Sequence, residues 1–299
     1  MPSLKEVQLK IGSIKQTKKI TKAMNMVATS RLRGAQQNME AFRPYAEKFA
    51  EVLGSLAEKS GDDASPLLFP KDEVKNIHIV LCTSDRGLCG GFNANLIRVA
   101  EKYLEANSDR DVTISFTNFG KKGRDWCRKN TSCEIKNEYL GVVGGKFGFN
   151  VAATAGQQLI NGFLDDTYDE VHIIYSEFHG MGKQVPVMKQ LLPIPAIETK
   201  EEVVEQPDEG PYMAEHICEP SPDEILGEML PKNVYIQIYS ALLETSTSEH
   251  AARMTAMDNA SKACNDMIEE LTLLFNKARQ AAITAELMDI VGGAEALKG

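Results

Sequence analysis

Nowhere does this chain carry an apolar run of about 18 residues, so no segment is expected to cross a membrane as a helix. Its opening, MPSLKEVQLKIGSIK, is charged and amphipathic, without the apolar core or small-residue cleavage site of a secretory leader. That points to a protein that stays on the cytoplasmic side. The six cysteines (Cys82, Cys89, Cys127, Cys133, Cys218, Cys264) include no CxxC and no paired metal spacing, and read as small buried hydrophobes. None of the five histidines belongs to an HxxxH or HExxH pattern. His78 and His172 fall in strand-like stretches and read as core, while His216 and Cys218 stand too close together and too alone for a metal site. No Ser/His/Asp set stands out from spacing. The segment GLCGG, with Gly87, Gly90 and Gly91, matches neither GxGxxG nor the GxxxxGKS/T pattern, and no acidic residue stands out as a ribose ligand. It reads as a tight strand-to-helix turn tied down by Asp85 and Arg86. No cofactor and no metal are expected.

The net charge of -9 on 299 residues conceals an asymmetry. Residues 1–35 hold eight basic and one acidic side chain, a balance of +7, so the rest carries -16. A basic helix on an acidic protein suits an acidic partner surface, a nucleic acid or an anionic membrane. Lys15, Lys18, Lys19 and Lys22 stand at i, i+3, i+4 and i+7 and form one stripe on a helix. Ser13–Lys22 has no aromatic residue for base stacking, which argues against nucleic acid. Membrane insertion is disfavoured because the apolar face is already committed to a heptad seam.

That seam is the dominant pattern. Leu4, Val7, Ile11 and Ile14 alternate steps of three and four, and so do Ala28, Leu32, Ala35, Met39 and Phe42, with Phe49, Leu53 and Leu56 following. Between them the seam positions hold Lys18, Thr21 and Asn25, and the apolar stripe is expected to slide round to Ile20, Met24 and Val27. The spacing predicts one helix over about 1–58, close to 80 Å long at 1.5 Å per residue, with Pro44 bent or absorbed at a kink. At the other end Met257, Ala260, Cys264, Met267, Leu271, Leu274, Ala278, Ala281, Ala285 and Met288 repeat the alternation. Pro231 suits a first helical turn, giving a helix from about Pro231 to Val291 within a segment 231–299, with Gly292–Gly293 fraying or ending it.

In the middle the period changes. Asn76–Ser84, Val112–Asn118 and Glu170–Ser176 are short and β-branched, and helical stretches at 93–106, 120–130 and 149–164 separate them. The alternation predicts a Rossmann-like α/β domain over 74–198 with a mainly parallel sheet. Residues 200–224 hold nine acidic side chains, one lysine and four prolines, so 199–230 reads as an acidic linker with a short helix. Helices of 55–60 residues need their seams buried. The predicted fold is therefore an antiparallel coiled coil of the N- and C-terminal helices around a central α/β domain.

Three stretches resemble the gamma subunits of F-type ATP synthases: Ser13–Gln36 (SIKQTKKITKAMNMVATSRLRGAQ), Ser84–Asn93 (SDRGLCGGFN), and Ser248–Ser261 followed by Phe275–Leu297. They fall in family order and the likeness covers nearly the whole chain. The resemblance implies a non-catalytic rotor shaft in a proton-translocating F1Fo complex at the cytoplasmic face of the inner membrane. Its implied partners are the alpha and beta subunits, three of each, the epsilon subunit and the ring of c subunits, with nucleotide bound and made on the partners. It further implies that the stripe Lys15, Lys18, Lys19 and Lys22 meets an acidic loop on beta, with Met24 packing close to it. Arg279, Gln280, Thr284 and Glu286 match positions that contact a loop on beta, and Ala294–Leu297 would enter an apolar bearing. One departure is that plastid members carry an insertion with two close cysteines after the QLLP-like strand end. Here Gln190–Ile197 runs straight into the acidic linker, which implies a bacterial type without thiol regulation. Two readings from other classes stand beside this one. A nucleotide-dependent α/β enzyme would be stabilised by its ligand, and a coiled-coil scaffold or nucleic-acid adaptor would bind DNA with steep salt dependence.

Overall fold

The computed structural model describes residues 3–59, 65–71, 73–195 and 221–296. Two compact units emerge: one joins residues 1–30 with 253–299, the other is 31–252. Two long helices, α1 (Leu4–Lys59) and α5 (Pro222–Ala296), each supply residues to both.

The 31–252 unit is built on a five-stranded sheet. Its elements are β1 (Asn76–Cys82), α2 (Phe92–Ala106), β2 (Thr113–Phe119), α3 (Lys121–Asn130), β3 (Glu134–Tyr139), α4 (Phe149–Leu164), β4 (Glu170–Gly180) and β5 (Lys183–Leu192). The strand order is β3-β2-β1-β4-β5, parallel except for β5, which pairs antiparallel with β4. The mainly parallel sheet with helices on its faces is thus present, with two strands more than the three read from the sequence. β3 (EIKNEY) alternates charge with half-buried positions, as an edge strand does, and lacks a β-branched run. β5 betrays itself only at its QLLP end. Pro186 and its lysines suit an edge strand, where a missing donor faces no neighbour.

β1 is buried on both faces, so its side chains divide between two cores. Ile77, Ile79 and Leu81 pack with Phe92, Leu96 and Ala100 of α2. Val80 and Cys82 pack on the opposite side with α4 (Ala155, Leu159, Phe163), with Leu53 and Leu56 of α1, and with Leu226, Leu230, Val234 and Ile238 of α5. The spacing of four between those α5 residues puts them on one helix face. The C-terminal helix begins at Pro222, not near Pro231, and Pro231 lies inside it. Ser221 accepts a hydrogen bond at Oγ from the Glu224 backbone N–H (3.3 Å), so Pro222 takes the first-turn place expected of Pro231. Burial of Leu226 and Leu230 offsets the hydrogen bond that Pro231 cannot make. The part of the expected acidic linker at 196–220, with His216 and Cys218, lies outside the described residues. Pro44 likewise sits inside α1 without ending it. Gly292 and Gly293 also stay within the helix, each at a cost of about 1 kcal/mol relative to alanine, which a long helix tolerates.

Cys82, Cys89, Cys127 and Cys264 are buried, and Cys133 is half-buried. Burial pushes the Cys127 thiol up to about 11. His172 is half-buried and bonded to Glu170 (2.9 Å), whereas His78 is fully enclosed. Both His78 ring nitrogens are engaged, Nδ1 with Ser115 Oγ (2.7 Å) and Nε2 with Thr117 Oγ1 (2.8 Å), and the ring stacks on Tyr168. Burial, with Lys136 as a smaller contributor, lowers its pKa to about 3. The folded chain therefore keeps His78 neutral where an unfolded chain would protonate it. Its stabilisation is complete above the unfolded value of about 6.5 and is lost as pH falls toward 3. In urea titrations His78→Gln should flatten the loss of stability between pH 6 and 4 by up to about 1.4 kcal/mol per pH unit. Parallel wild-type and variant slopes would contradict this.

Candidate functional site: the helix pair and the strand-end turn

In the unit formed by 1–30 and 253–299, α1 and α5 face each other along their heptad positions. Val7 and Ala28 are buried on α1, and Leu4, Ile11, Ile14, Lys18 and Asn25 are half-buried, with Thr21 buried among them. The apolar stripe does not slide round the helix as expected: Ile20 and Val27 are more than half exposed. The polar residues stay in the seam because each finds a partner there. Thr21 Oγ1 lies 2.8 Å from Ser261 Oγ, and Asn25 Nδ2 donates to the Met254 carbonyl at 2.8 Å. Position 21 meets 261 and position 25 meets 254, so the helices run antiparallel. Buried polar groups cost little when satisfied in this way, and a polar layer fixes which residues face each other.

On α5 the seam is Met257, Ser261, Cys264, Ile268, Leu271, Phe275, Ala278 and Ala282, all buried or half-buried. Half of the expected set is therefore right, three of its members are one residue out, and Ala285 and Met288 lie beyond the last half-buried position. Met267, Leu274, Ala281, Ala285 and Met288 are exposed, with Ile268, Phe275 and Ala282 turned inward in their places and Ser261 sharing the seam with half-buried Ala260. The helix is apolar on two faces, so either register satisfies the alternation. What remains outside is unusual for a surface. Leu273 and Ile290 are each 71% exposed, and Ile283, Leu287, Met288 and Val291 are more than half exposed. Contiguous apolar surface of this kind marks a binding face.

The charged side chains line up beside it. Lys15, Lys19 and Lys22 are exposed, while Lys18 sits half-buried at a seam position, and Met24 is half-buried. Arg279, Gln280, Thr284 and Glu286 are all exposed, and Thr284 Oγ1 donates to the Gln280 carbonyl of its own helix (2.9 Å). Among the described residues none of the four lysines and neither Arg279 nor Glu286 has an ion-pair partner in this chain. Ala294 is exposed, and Leu297 lies outside the described residues.

The strand-end turn is a separate feature. Asp85 Oδ1 accepts from the Lys121 backbone N–H (3.0 Å) and Oδ2 from that of Gly141 (2.9 Å), so one carboxylate joins the exits of β1, β2 and β3. Arg86 contributes through its backbone: its carbonyl accepts from Ser84 Oγ (2.6 Å). Leu88 and Gly90 adopt positive φ, Gly91 caps α2, and Gly87 lies within the loop. Sequence reasoning missed Gly120, at φ 99, where a Cβ would stand 2.1 Å from the Thr83 carbonyl oxygen. The loop is closed by its own side chains, and among the described residues no cluster of His, Cys, Asp or Glu could hold a metal.

The place where an α/β sheet ordinarily binds a ligand is the crevice at the strand carboxyl ends, where strand order reverses. Here that point lies between β1 and β4, and α5 fills it. Thr245, Thr247 and Ser248 are fully buried there, and Ser246 Oγ accepts from the Gly144 N–H (3.2 Å).

A double-mutant cycle on the seam tests the polar layer. Thr21→Val and Ser261→Ala should couple by about 0.5–1.5 kcal/mol in urea unfolding of the full chain. Additive effects would show that the hydroxyls do not interact.

Comparison with known proteins gives a consistent result. A sequence model of the family described as ATP synthase matches residues 3–297. A protein of Desulfosudis oleivorans named ATP synthase gamma chain is 77% identical over 299 residues, covering 100% of both chains. One of the same name from Desulforapulum autotrophicum is 63% identical, covering 99% of this chain and 100% of that one. Among solved structures, a chain of the Tetrahymena thermophila mitochondrial ATP synthase central stalk and c-ring is similar, with TM-score 0.59 and 25% identity over 81% of this chain and 99% of that chain. A chain of the Euglena gracilis mitochondrial ATP synthase, at TM-score 0.67 and 17% identity over 98% and 94% of the chains, shares the fold.

Proposed function

We infer the function of this chain from the premise that it belongs to the ATP synthase gamma-chain family. It is a central-stalk component of the rotor. Beyond that, we propose that it couples ion flow, carried by protons, through a membrane ring to ATP synthesis on surrounding subunits, and performs no catalysis itself. The α5 segment that fills the switch-point crevice supports the non-catalytic reading, since a nucleotide would have to displace buried, hydrogen-bonded side chains.

The exposed faces of the helix pair carry the rest of the proposal. Three alpha and three beta subunits form the cylinder that covers Leu273, Ile283, Leu287 and Ile290. Lys15, Lys18, Lys19 and Lys22, with Met24, face an acidic loop of beta, and Arg279, Gln280, Thr284 and Glu286 meet a second one. The unpaired cations support this, because an exposed lysine stripe of one sign steers an acidic partner. The epsilon subunit and the c ring engage the α/β domain, over about 74–198, which the chain places between α1 (Leu4–Lys59) and α5 (Pro222–Ala296). No helix among the described residues is long and apolar enough to cross a membrane. From its family the protein is proposed to sit peripherally at the cytoplasmic face of the inner membrane.

Magnitudes set how torque is carried. An ion crossing 100 mV supplies about 2.3 kcal/mol per charge, and one exposed ion pair contributes about 0–1 kcal/mol. Coupling is therefore distributed over many contacts. Arg279→Ala in the assembled complex should weaken ATP-driven ion pumping by no more than about fivefold; complete loss in a fully assembled complex would contradict a distributed grip. The reading as a whole is tested by the native mass of the particle that co-purifies with this chain from mildly solubilised membranes. One copy with three alpha and three beta subunits and ATPase activity is expected. A lone chain or homodimer recovered intact would overturn it.

A further inference from the structure

The joint between α5 and the sheet has a construction that the rotor reading does not require in advance. β1 pairs with β4 only as far as Leu81 opposite Ile174, and β1 ends at Cys82. β4 continues to Gly180, held on its far side by β5 through Tyr175↔Val187 and Glu177↔Val185. Among the described residues the near edge of Ser176–Phe178 therefore has no strand beside it, and backbone groups there need partners. Side chains of α5 supply them. The Ser176 N–H donates to Thr245 Oγ1 (3.3 Å), Ser248 Oγ donates to the Ser176 carbonyl (3.3 Å), and the Phe178 N–H donates to Glu244 Oε2 (3.3 Å). One helix face thus imitates a sixth strand over two residues.

Resting on the rotor reading, we propose that Glu244, Thr245 and Ser248 are positioning residues that key α5 to the edge of β4, so that α5 turns with the α/β domain instead of rolling on it. The apolar contacts of α5, through Val234, Ile238 and Leu242, are non-directional and would tolerate a roll with repacking. Hydrogen bonds weaken steeply with misalignment, so any roll about the helix axis breaks all three together and strands the buried Ser176 amide and carbonyl. Thr245 and Ser248 are fully buried, which keeps water from substituting for the lost partners. The strand that receives the key is itself braced. Tyr175 Oη donates to Glu177 (3.1 Å), and Lys189 of β5 pairs with the same carboxylate (2.7 Å). What Glu244 must supply is an acceptor oxygen, and a charge is unnecessary.

The experiment compares ions pumped per ATP hydrolysed by the assembled complex in sealed vesicles. Combining Glu244→Leu, Thr245→Val and Ser248→Ala should leave hydrolysis nearly intact and lower the pumping-to-hydrolysis ratio by about fivefold to tenfold. Glu244→Gln with Thr245→Ser, which keeps the acceptors, should hold the wild-type ratio. An unchanged ratio in the triple variant, or an equal loss in the conservative pair, overturns the proposal. Should the triple variant fail to assemble, Thr245→Val alone, with Thr245→Ser as its rescue, reads the same ratio by the same criterion. Amide exchange on the full chain decides the joint independently of the complex. Ser176 and Phe178 should exchange slowly in the wild type and faster in the triple variant, and fast exchange in the wild type would show that no key exists. A wild-type chain that forms no pumping complex, yet protects those two amides, would instead contradict the rotor reading.

Discussion

A helix of 56 residues and one of 75, each with an apolar stripe along its length, cannot remain single in water. Burying those stripes is the constraint on which everything else depends, and the chain meets it in two ways. Within 31–252 the stripes of α1 and α5 close over one face of the sheet, with Leu53, Leu56, Leu226, Leu230 and Val234 as fully enclosed members. Within 1–30 and 253–299 the two helices have only each other, and they pair antiparallel through Val7, Ala28, Met257 and Cys264.

A pair of helices can bury one stripe each and no more. Apolar residues beyond that stripe stay in solvent, and α5 carries many of them, from Leu273 through Val291. Leaving them uncovered would invite aggregation, so the second apolar face implies a permanent enclosure. The seam itself is eased at its middle by Thr21, Asn25 and Ser261, which exchange hydrophobic stabilisation for directional contacts. The two choices fit a part whose outer surface works against neighbours while its inner pairing holds register.

The sequence made the helix pair, the three central strands and α2, α3 and α4 legible, because period and composition report local structure directly. It misled where one pattern had two physical causes. On α5 the second apolar face gave an alternation of its own, so Met267 and Leu274 read as seam when Ile268 and Phe275 hold those places. On α1 the polar Thr21 and Asn25 hid a continuous seam, and Ile20 and Val27 offered a false one. β3 was invisible because an edge strand alternates charges in the manner of a loop. The key between α5 and β4 left no trace at all: nothing local distinguishes Thr245 and Ser248 from hydroxyls bonded to their own helix, as Thr247 is to Leu243. Of the residues expected to meet partners, the fold shows Lys15, Lys19, Lys22, Arg279, Gln280, Thr284 and Glu286 exposed and available. Their common purpose became readable through the family resemblance, since exposure alone does not name a neighbour.

The central claim is that this chain turns inside its complex. Asp109, exposed beyond the end of α2, offers a site for a probe away from the helix pair. With the alpha and beta subunits fixed to a surface and Asp109→Cys carrying a single fluorophore, the polarisation axis should rotate in one direction when ATP is added and stop when ATP is removed. A fixed axis during sustained ATP hydrolysis would contradict the account.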